Sequence, residues 1–529
     1  MNTAARLPSP AEALRRLHAL RDSAGPRQTP GLADAVVLDA VAAYPELAEA
    51  VVAAEAAAAA LDLELPGLRQ LAEDALVADV QEGYVHFYPA DAVNPYVPLA
   101  GRGPWVVTAH GAVLHDSGGY GMLGFGHTPA GVIAAMAEPQ VMANIMTPSF
   151  SHKRLIDRLR REVGHTRGGS PFARFLCLNS GSEAMSVASR ICDIHAFTMT
   201  RPGAPHAGKV IKSIAVKGAF HGRTDRPARV SDSSRPNYQK HLKSFEGLDN
   251  LITVPSNDAA ALEAAYQKAE ADGIFVEALY MEPVMGEGNP GVGVTRAFYD
   301  AARRLSLAHG SMFIIDSIQA GLRAHGTLSV VDYPGFADAE APDMESWSKA
   351  INGGQYPLSV LGLTRRAADT YVRGLYGNTM TTNPRALQVA VAVLDQITPE
   401  LRENIVHQGK VFIEQLRALQ AEFPEIITDV TGTGLLFACH LDPLRYPVMG
   451  EAGGVELKAR QRGLGVIHGG HNALRFTPHF GITDGEVQLI INELRAVFAA
   501  LRAETQAGML AAAPAHPVTA EEPSRGASA

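Results

Sequence analysis

The sequence predicts an α/β fold: a large, mostly parallel sheet covered by helices, followed by a smaller α+β unit. Three observations predict it. Between about 150 and 385, short apolar runs such as "ARFLCL", "VIKSIAV", "IFVEALYMEP" and "SMFIID" alternate with amphipathic stretches such as "SEAMSVASRICDIHAF" and "TRAFYDAARRLSLAHG". Alternation of this kind builds parallel sheets that helices bury on both faces. From about 385 to 503, helices mix instead with strands such as "GLLFACHL" and "ALRFTP". Third, 529 residues that are 47% hydrophobic and 19% charged have ordinary globular composition, with apolar surface enough for sizeable cores.

Residues 1–82 read as an Ala/Leu-rich helical extension without a chemical motif. Ser9-Pro10-Ala11-Glu12 gives its first helix a start signal: a hydroxyl cap, proline at the first helical position and a glutamate placed to reach back. That N-terminus lacks the apolar core of a signal peptide. The most apolar stretch, "LAEAVVAAEAAAAALDLELP" (47–66), is interrupted by Glu49 and Glu55, so it reads as a packed helix rather than a span of about 18 apolar residues. Residues 83–148 are expected to join the small domain, with strands in "PWVVTAHGAVLHD" (104–116). Residues 149–384 form the large domain and 385–503 the C-terminal small domain. Residues 504–529, ending in an Ala/Pro/Ser-rich run, are expected to be a disordered tail.

Cys177, Cys192 and Cys439 are far apart and form no CxxC pair, which favours a reducing, cytoplasmic location. A net charge of −9 argues against a nucleic-acid partner, and no membrane partner is expected. "GYGMLG" (119–124) completes a G-x-G-x-x-G, but a nicotinamide site needs a strand before it and a helix opening inside it. Here Gly118 precedes the run and "FGHTP" delays the helix to about Pro129, so dinucleotide binding is the weaker alternative. "GAPHAGKV" (203–210) has Val210 where a P-loop needs a magnesium-binding hydroxyl, and it precedes its strand; it reads as a surface loop, and no metal is expected.

Four features carry chemistry. "FIIDSIQAG" (313–321) ends an apolar run on Asp316, at the strand edge where open α/β sheets bind ligands. "FLCLNSGSEAMSVAS" (175–189) is strand, small-residue turn and helix start, an anion site at the amides of Gly181 and Ser182. "AFHGRT" (219–224) sets Phe220 and His221 after a strand, where an aromatic can cover a flat ring. "SWSKAINGG" (346–354) places Lys349 between small residues. Separately, each has a plainer explanation: a helix cap, a core aromatic, a solvated lysine. Together they supply a phosphate cradle, a stacking face, an acid for a ring nitrogen and an amine for a Schiff base, the parts that hold pyridoxal 5′-phosphate.

With "NSGSEA", "FHGRT", "EPVMGEG", "DSIQAG", "SKAINGG", "TMTTNP" and "LRFTP" in this order, the chain resembles the class III (ω-) aminotransferase family, of the aspartate-aminotransferase fold type (fold type I), over about residues 105–500. The resemblance implies a pyridoxal-phosphate-dependent transaminase moving an amino group between a carboxylate-bearing amine or amino acid and a 2-oxo acid. It implies Lys349 as the cofactor-bearing lysine and Asp316 as the partner of the pyridinium nitrogen. Gln319 would bond the phenolic oxygen, Gly181 and Ser182 the phosphate, and Phe220 would stack on the ring. Thr379 would reach the phosphate of a neighbouring subunit, implying a homodimer with shared sites. Arg475 would grip a substrate carboxylate, a task suited to a bidentate fork, and Glu287 would pair with it and release it. Glu282 is the acid before proline in the same motif. Two departures are visible: Ser317 stands where the family usually has glutamate, and Thr381 and Thr382 replace a common glycine pair. The same fold hosts aminomutases, racemases and decarboxylases, and a non-catalytic binding protein is a further alternative. Substrate contacts are expected from 118–127 and 145–152, with Tyr120 and Phe125 as candidate pocket walls, although aromatics more often pack in cores.

Overall fold

The computed structural model describes residues 6–450 and 453–512. Four helices form the extension: α1 (Pro10–Asp22), α2 (Asp34–Ala43), α3 (Pro45–Glu64) and α4 (Glu73–Gln81). Ser9 caps α1 by accepting from the Glu12 amide at 3.4 Å, while the Glu12 carboxylate turns to Arg16 instead of closing the box. Ala13, Leu17 and Leu20 recur on one face and are buried, each leucine contributing about 2 kcal/mol. That face packs with α3 on strands β1 (Pro98–Arg102), β2 (Trp105–Thr108) and β3 (Val113–Asp116).

The central sheet has seven strands: β4 (Arg174–Leu178), β5 (Val210–Val216), β6 (Leu251–Val254), β7 (Ile274–Met281), β8 (Met312–Asp316), β9 (Met344–Trp347) and β10 (Ser359–Leu363). Their order is β4-β10-β9-β8-β7-β5-β6. Strand β10 runs antiparallel to both its neighbours and the other pairings are parallel. Every residue of β8, β9 and β10 is buried, which is why these segments read as continuous apolar runs.

In the C-terminal part, β11 (Ile427–Thr433), β12 (Leu436–Leu441), β14 (Ile467–Gly469) and β15 (Ala473–Phe476) form an antiparallel sheet in the order β11-β12-β15-β14. The short strand β13 (Leu464–Gly465) leaves that unit to pair in parallel with β3, so the segment before residue 148 is stitched to the C-terminal part. A second stitch is polar: Glu486 accepts from His115 on β3 and from His479. The terminal helix runs from Asp484 to Ala512, so residues 504–512 continue a helix rather than starting a tail. The Ala/Leu/Met content of this stretch favours helix locally. The rest of the expected tail, 513–529, lies outside the described residues.

Candidate active site

Five parallel strands deliver residues to one edge of the central sheet. Asp316 closes β8 and pairs in register with Ser346 on β9, whose continuation carries Lys349. Glu282 follows β7, Phe220 and His221 follow β5, and Ser180, Gly181 and Ser182 follow β4. These residues, with Gln319, line one cavity of ≈ 170 Å³. Ligand sites in open α/β sheets form at this carboxyl edge.

Lys349 adopts φ 40°, a left-handed backbone that a residue with a Cβ holds only when its surroundings enforce it. Two left-handed glycines, Gly353 and Gly354, complete the turn. Burial, and then the Arg475 charge, push the Lys349 amine from 10.5 down to about 8. Asp316 is fixed on both oxygens: Oδ2 faces His221 Nδ1 at 3.0 Å, while Oδ1 accepts from the Ile318 amide at 3.1 Å and Ser346 at 3.3 Å. The buried Nε2 of His221 has no hydrogen-bond partner among the described residues.

At the other end of the cavity is the start of α5 (Gly181–Thr200), capped by Ser180, which accepts from the Glu183 amide at 3.3 Å. The first-turn amides of Gly181 and Ser182 are therefore presented at a helix N-terminus. The "FHGRT" turn lies tightly on this start: a Cβ on Gly222, at φ 115°, would sit 2.5 Å from Ser182 Oγ. Glu282 braces two loops at once, accepting from the Phe220 amide and from the Gly286 amide, each at 2.9 Å. Its burial pushes its carboxyl up to about 7. A buried amine, a fixed carboxylate, an aromatic flank and open helix amides within one small cavity fit pyridoxal 5′-phosphate.

Several other placements were not legible in advance. Arg475, on β15, donates to the Gly286 carbonyl and, at 3.2 Å, to Gln319 Oε1, so both expected residues touch each other. Glu287 pairs at 3.6 Å with Arg223 instead of Arg475. Arg223 itself stacks over Phe220 and Tyr88, 5.4 and 5.9 Å from their ring centroids. Arg223 was visible inside "FHGRT" but gave no sign of its direction; nothing local marked Tyr88. Ser317 donates to Glu345 at 2.6 Å, and that carboxylate also accepts from the Val330 amide and Ser329. Position 317 thus lacks a carboxylate of its own but bonds one from the adjacent strand. The "GYGMLG" turn serves the same region: the Gly121 amide donates to Thr477 at 3.1 Å, and a Cβ at Gly121 would meet Lys349 Cδ at 3.3 Å. Phe125 is half-buried and packs edge-on against Phe480.

Thr379 lies outside the Lys349 cavity. It lines a larger space of ≈ 580 Å³ with Asn144, Ile145, Met146, Thr381 and Thr382. Thr382 holds φ 59°, so the replaced glycine pair keeps a left-handed backbone at a β-branched residue. Glu183 ties this loop to α5 by accepting from Asn378 at 2.7 Å and from Tyr376.

A lysine–carboxylate cavity at the carboxyl edge of a seven-stranded sheet, with a helix N-terminus opposite, defines a fold type I enzyme of the pyridoxal-phosphate kind. Residues 87–498 match the family described as aminotransferase class-III, and the chain belongs to that family. It is 31% identical over 416 residues to the acetylornithine aminotransferase of Xanthomonas axonopodis pv. citri, spanning 78% of this chain and 95% of that one. The fold is similar to the ornithine aminotransferase from Toxoplasma gondii, with a TM-score of 0.69 and 25% identity over 84% of this chain and 99% of that one. It is also similar to the N-acetylornithine aminotransferase from Stenotrophomonas maltophilia K279a, with a TM-score of 0.60 and 27% identity over 79% and 98% of the two chains. The protein is a pyridoxal-phosphate-dependent aminotransferase that moves an amino group between an amino acid and a 2-oxo acid.

Proposed function

We propose that Lys349 is the acid–base group of this transamination, that Asp316 is the cofactor's ring-nitrogen partner, and that the donor carries its reacting amine distal to a carboxylate. One observation carries the reading: the Lys349 amine and the Asp316 carboxylate face a single buried cavity that ends on a helix N-terminus. The bound cofactor supplies an electron-accepting ring. Asp316, held by His221 and Ser346, would keep a proton on the ring nitrogen. Gly181 and Ser182 would receive the phosphate, Phe220 would cover the ring, and Gln319 would bond the phenolic oxygen. The depressed basicity of Lys349 leaves an appreciable free-amine fraction near neutral pH, so Nζ can take the proton from the nitrogen-bearing carbon of the donor and redeliver it. Arg475 receives a substrate carboxylate. Glu287, lying against Arg223, offsets positive charge when the bound molecule has only one carboxylate.

A homodimer with shared sites is part of the same proposal. Around the Thr379 space, Ile145, Met146, Phe150 and Met380 are 65%, 85%, 83% and 61% exposed, an apolar surface of the kind that marks an interface. A second copy on it brings Thr379 to its neighbour's phosphate. A cytoplasmic location agrees with three unpaired cysteines, two of them buried, and among the described residues no helix is long and apolar enough to cross a membrane.

The test is a donor screen with 2-oxoglutarate and pyruvate as acceptors, on protein that should be yellow and trapped at Lys349 by borohydride. Transfer of nitrogen from ω-amino acids, lost in Lys349→Ala, is expected. Trapping at a different lysine, or product in which nitrogen is retained with inverted configuration or carbon dioxide is released, overturns it.

A further inference from the structure

We propose that Glu345, on β9, is a positioning residue for the cofactor site: standing in for a glutamate at position 317, its carboxylate holds the turn that carries Gln319 into the Lys349 cavity. The proposal rests on the reading of Lys349, Asp316 and Gln319 above.

Glu345 is fully buried, and its carboxylate accepts three hydrogen bonds, from Ser317 Oγ at 2.6 Å, from the Val330 amide at 2.9 Å and from Ser329. These donors stand at the two ends of one segment. Residue 317 follows Asp316 directly, and 329–330 close the stretch that began there. One side chain on the neighbouring strand therefore pins both ends of 317–330. Asp316, Ile318 and Gln319 line the Lys349 cavity, and neither Ser317 nor Glu345 is among the lining residues. Glu345 thus acts on the cofactor through the turn and not by contact.

The turn leaves Gln319 little freedom. The Ser317 amide donates to the Ser346 carbonyl at 3.0 Å, and the Ser317 carbonyl accepts from the Gly321 amide at 2.8 Å. Gly286 lies so close that an added Cβ would be 2.3 Å from Gln319 Cδ. Gln319 Oε1 accepts from Arg475 at 3.2 Å, which leaves the Nε2 donor for the phenolic oxygen. Register lets β9 support both faces of this arrangement. Glu345 pairs with Ile315 and Ser346 with Asp316, and successive side chains of a strand point to opposite faces. Ser346 turns to Asp316 and to Met185 of α5, while Glu345 turns to Ser317.

A carboxylate suits the place because its two oxygens accept several donors at once. An apolar side chain would leave two hydroxyls and an amide buried without partners. The position of its source can vary. Ser317 Oγ is 2.6 Å from Glu345 Oε1, so a glutamate at 317, with a longer side chain on the same Cβ, projects its carboxylate into the space that Glu345 fills. The serine at 317 and the carboxylate at 345 are two halves of one exchange.

The test titrates cofactor-free protein with pyridoxal phosphate, followed by absorbance, and records the absorption maximum of the yellow form and the urea midpoint of the cofactor-free protein. Glu345→Val is expected to weaken cofactor binding at least tenfold and to shift the maximum. Adding Ser317→Glu to Glu345→Val is expected to bring affinity and maximum back to within threefold and to the wild-type position. Ser317→Ala removes a single hydroxyl, adds nothing to bury, and is expected to weaken binding at least threefold even if Glu345→Val does not fold. Variants that lower the urea midpoint while affinity and maximum stay at wild-type values would show a carboxylate that serves the fold alone, and refute the proposal. A double variant that recovers its urea midpoint but not its affinity refutes the exchange between 317 and 345. Wild-type protein that stays colourless with added cofactor fails at the earlier step, and overturns the reading of the site together with this proposal.

Discussion

The amine that makes Lys349 useful should also make it a burden on the apoenzyme. Its displacement from 10.5 to about 8 arises first from burial and then from the Arg475 charge. At about 1.4 kcal/mol per pH unit, this corresponds to about 3 kcal/mol by which the fold disfavours the protonated amine. Below pH 8, folded and unfolded chains both carry the proton, and the whole penalty is felt. Between pH 8 and 10.5 the unfolded chain holds a proton that the folded chain lacks, so this group makes stability rise with pH. Lys349→Met keeps the length of the side chain and removes the charge. The cofactor-free variant should therefore be more stable than cofactor-free wild type at pH 7, by up to about 3 kcal/mol, and the gain should shrink toward zero by pH 10.5. Urea midpoints at one protein concentration, measured at pH 7, 9 and 10.5, read this directly. An apo variant no more stable than wild type at pH 7, or a gain that does not depend on pH, would refute the claim that burial, aided by Arg475, holds down the basicity of the Lys349 amine.

Three further outcomes follow from the same geometry. Gly222→Ala places a Cβ 2.5 Å from Ser182 Oγ at a left-handed backbone position, and should weaken cofactor binding at least tenfold, or about 1.4 kcal/mol, in a titration followed by absorbance. Glu486 is pushed up by burial, but hydrogen bonds from His115 and His479 overcome this and hold it well below the usual carboxylate range. It contributes stability above pH 4.5 that is lost as pH falls, so Glu486→Gln should cost about 3 kcal/mol at pH 7, with the difference narrowing in acid melts. Burial pushes Glu345 up to about 7 against the hydrogen bonds of Ser317, Ser329 and the Val330 amide. Its contribution falls as pH rises from 4.5 to 7, so Glu345→Gln should gain about 3 kcal/mol at pH 8 and nothing at pH 4.5.

The residues that converge on the Lys349 cavity were legible because they follow local punctuation. Asp316, Phe220, Gly181 and Lys349 each stand just after an apolar run or at a helix start, and a parallel sheet brings all such points to one edge. Nothing comparable announces partners that meet through register or loop direction. Arg223 turns from Phe220 toward Glu287 and Tyr88, and Ser317 reaches a carboxylate on a neighbouring strand. The antiparallel course of β10 escaped for a related reason: a strand buried on both faces has the same apolar composition in either direction. The place of the "GYGMLG" run, behind Lys349, depends on a bond from Gly121 to Thr477 near the other end of the chain.

The division between what was legible and what was not is also a division of labour. The Lys349 cavity is built from strand termini and one helix start, elements whose geometry the sheet sets. The residues around it whose placement escaped notice stand on loops: Tyr120 at φ 50° and the Arg223–Glu287 pair. Strain on that side concentrates where a side chain must stand in a fixed place without regular secondary structure to hold it. Arg223 joins the two sides, since its guanidinium covers both Phe220 and Tyr88 and pairs with Glu287.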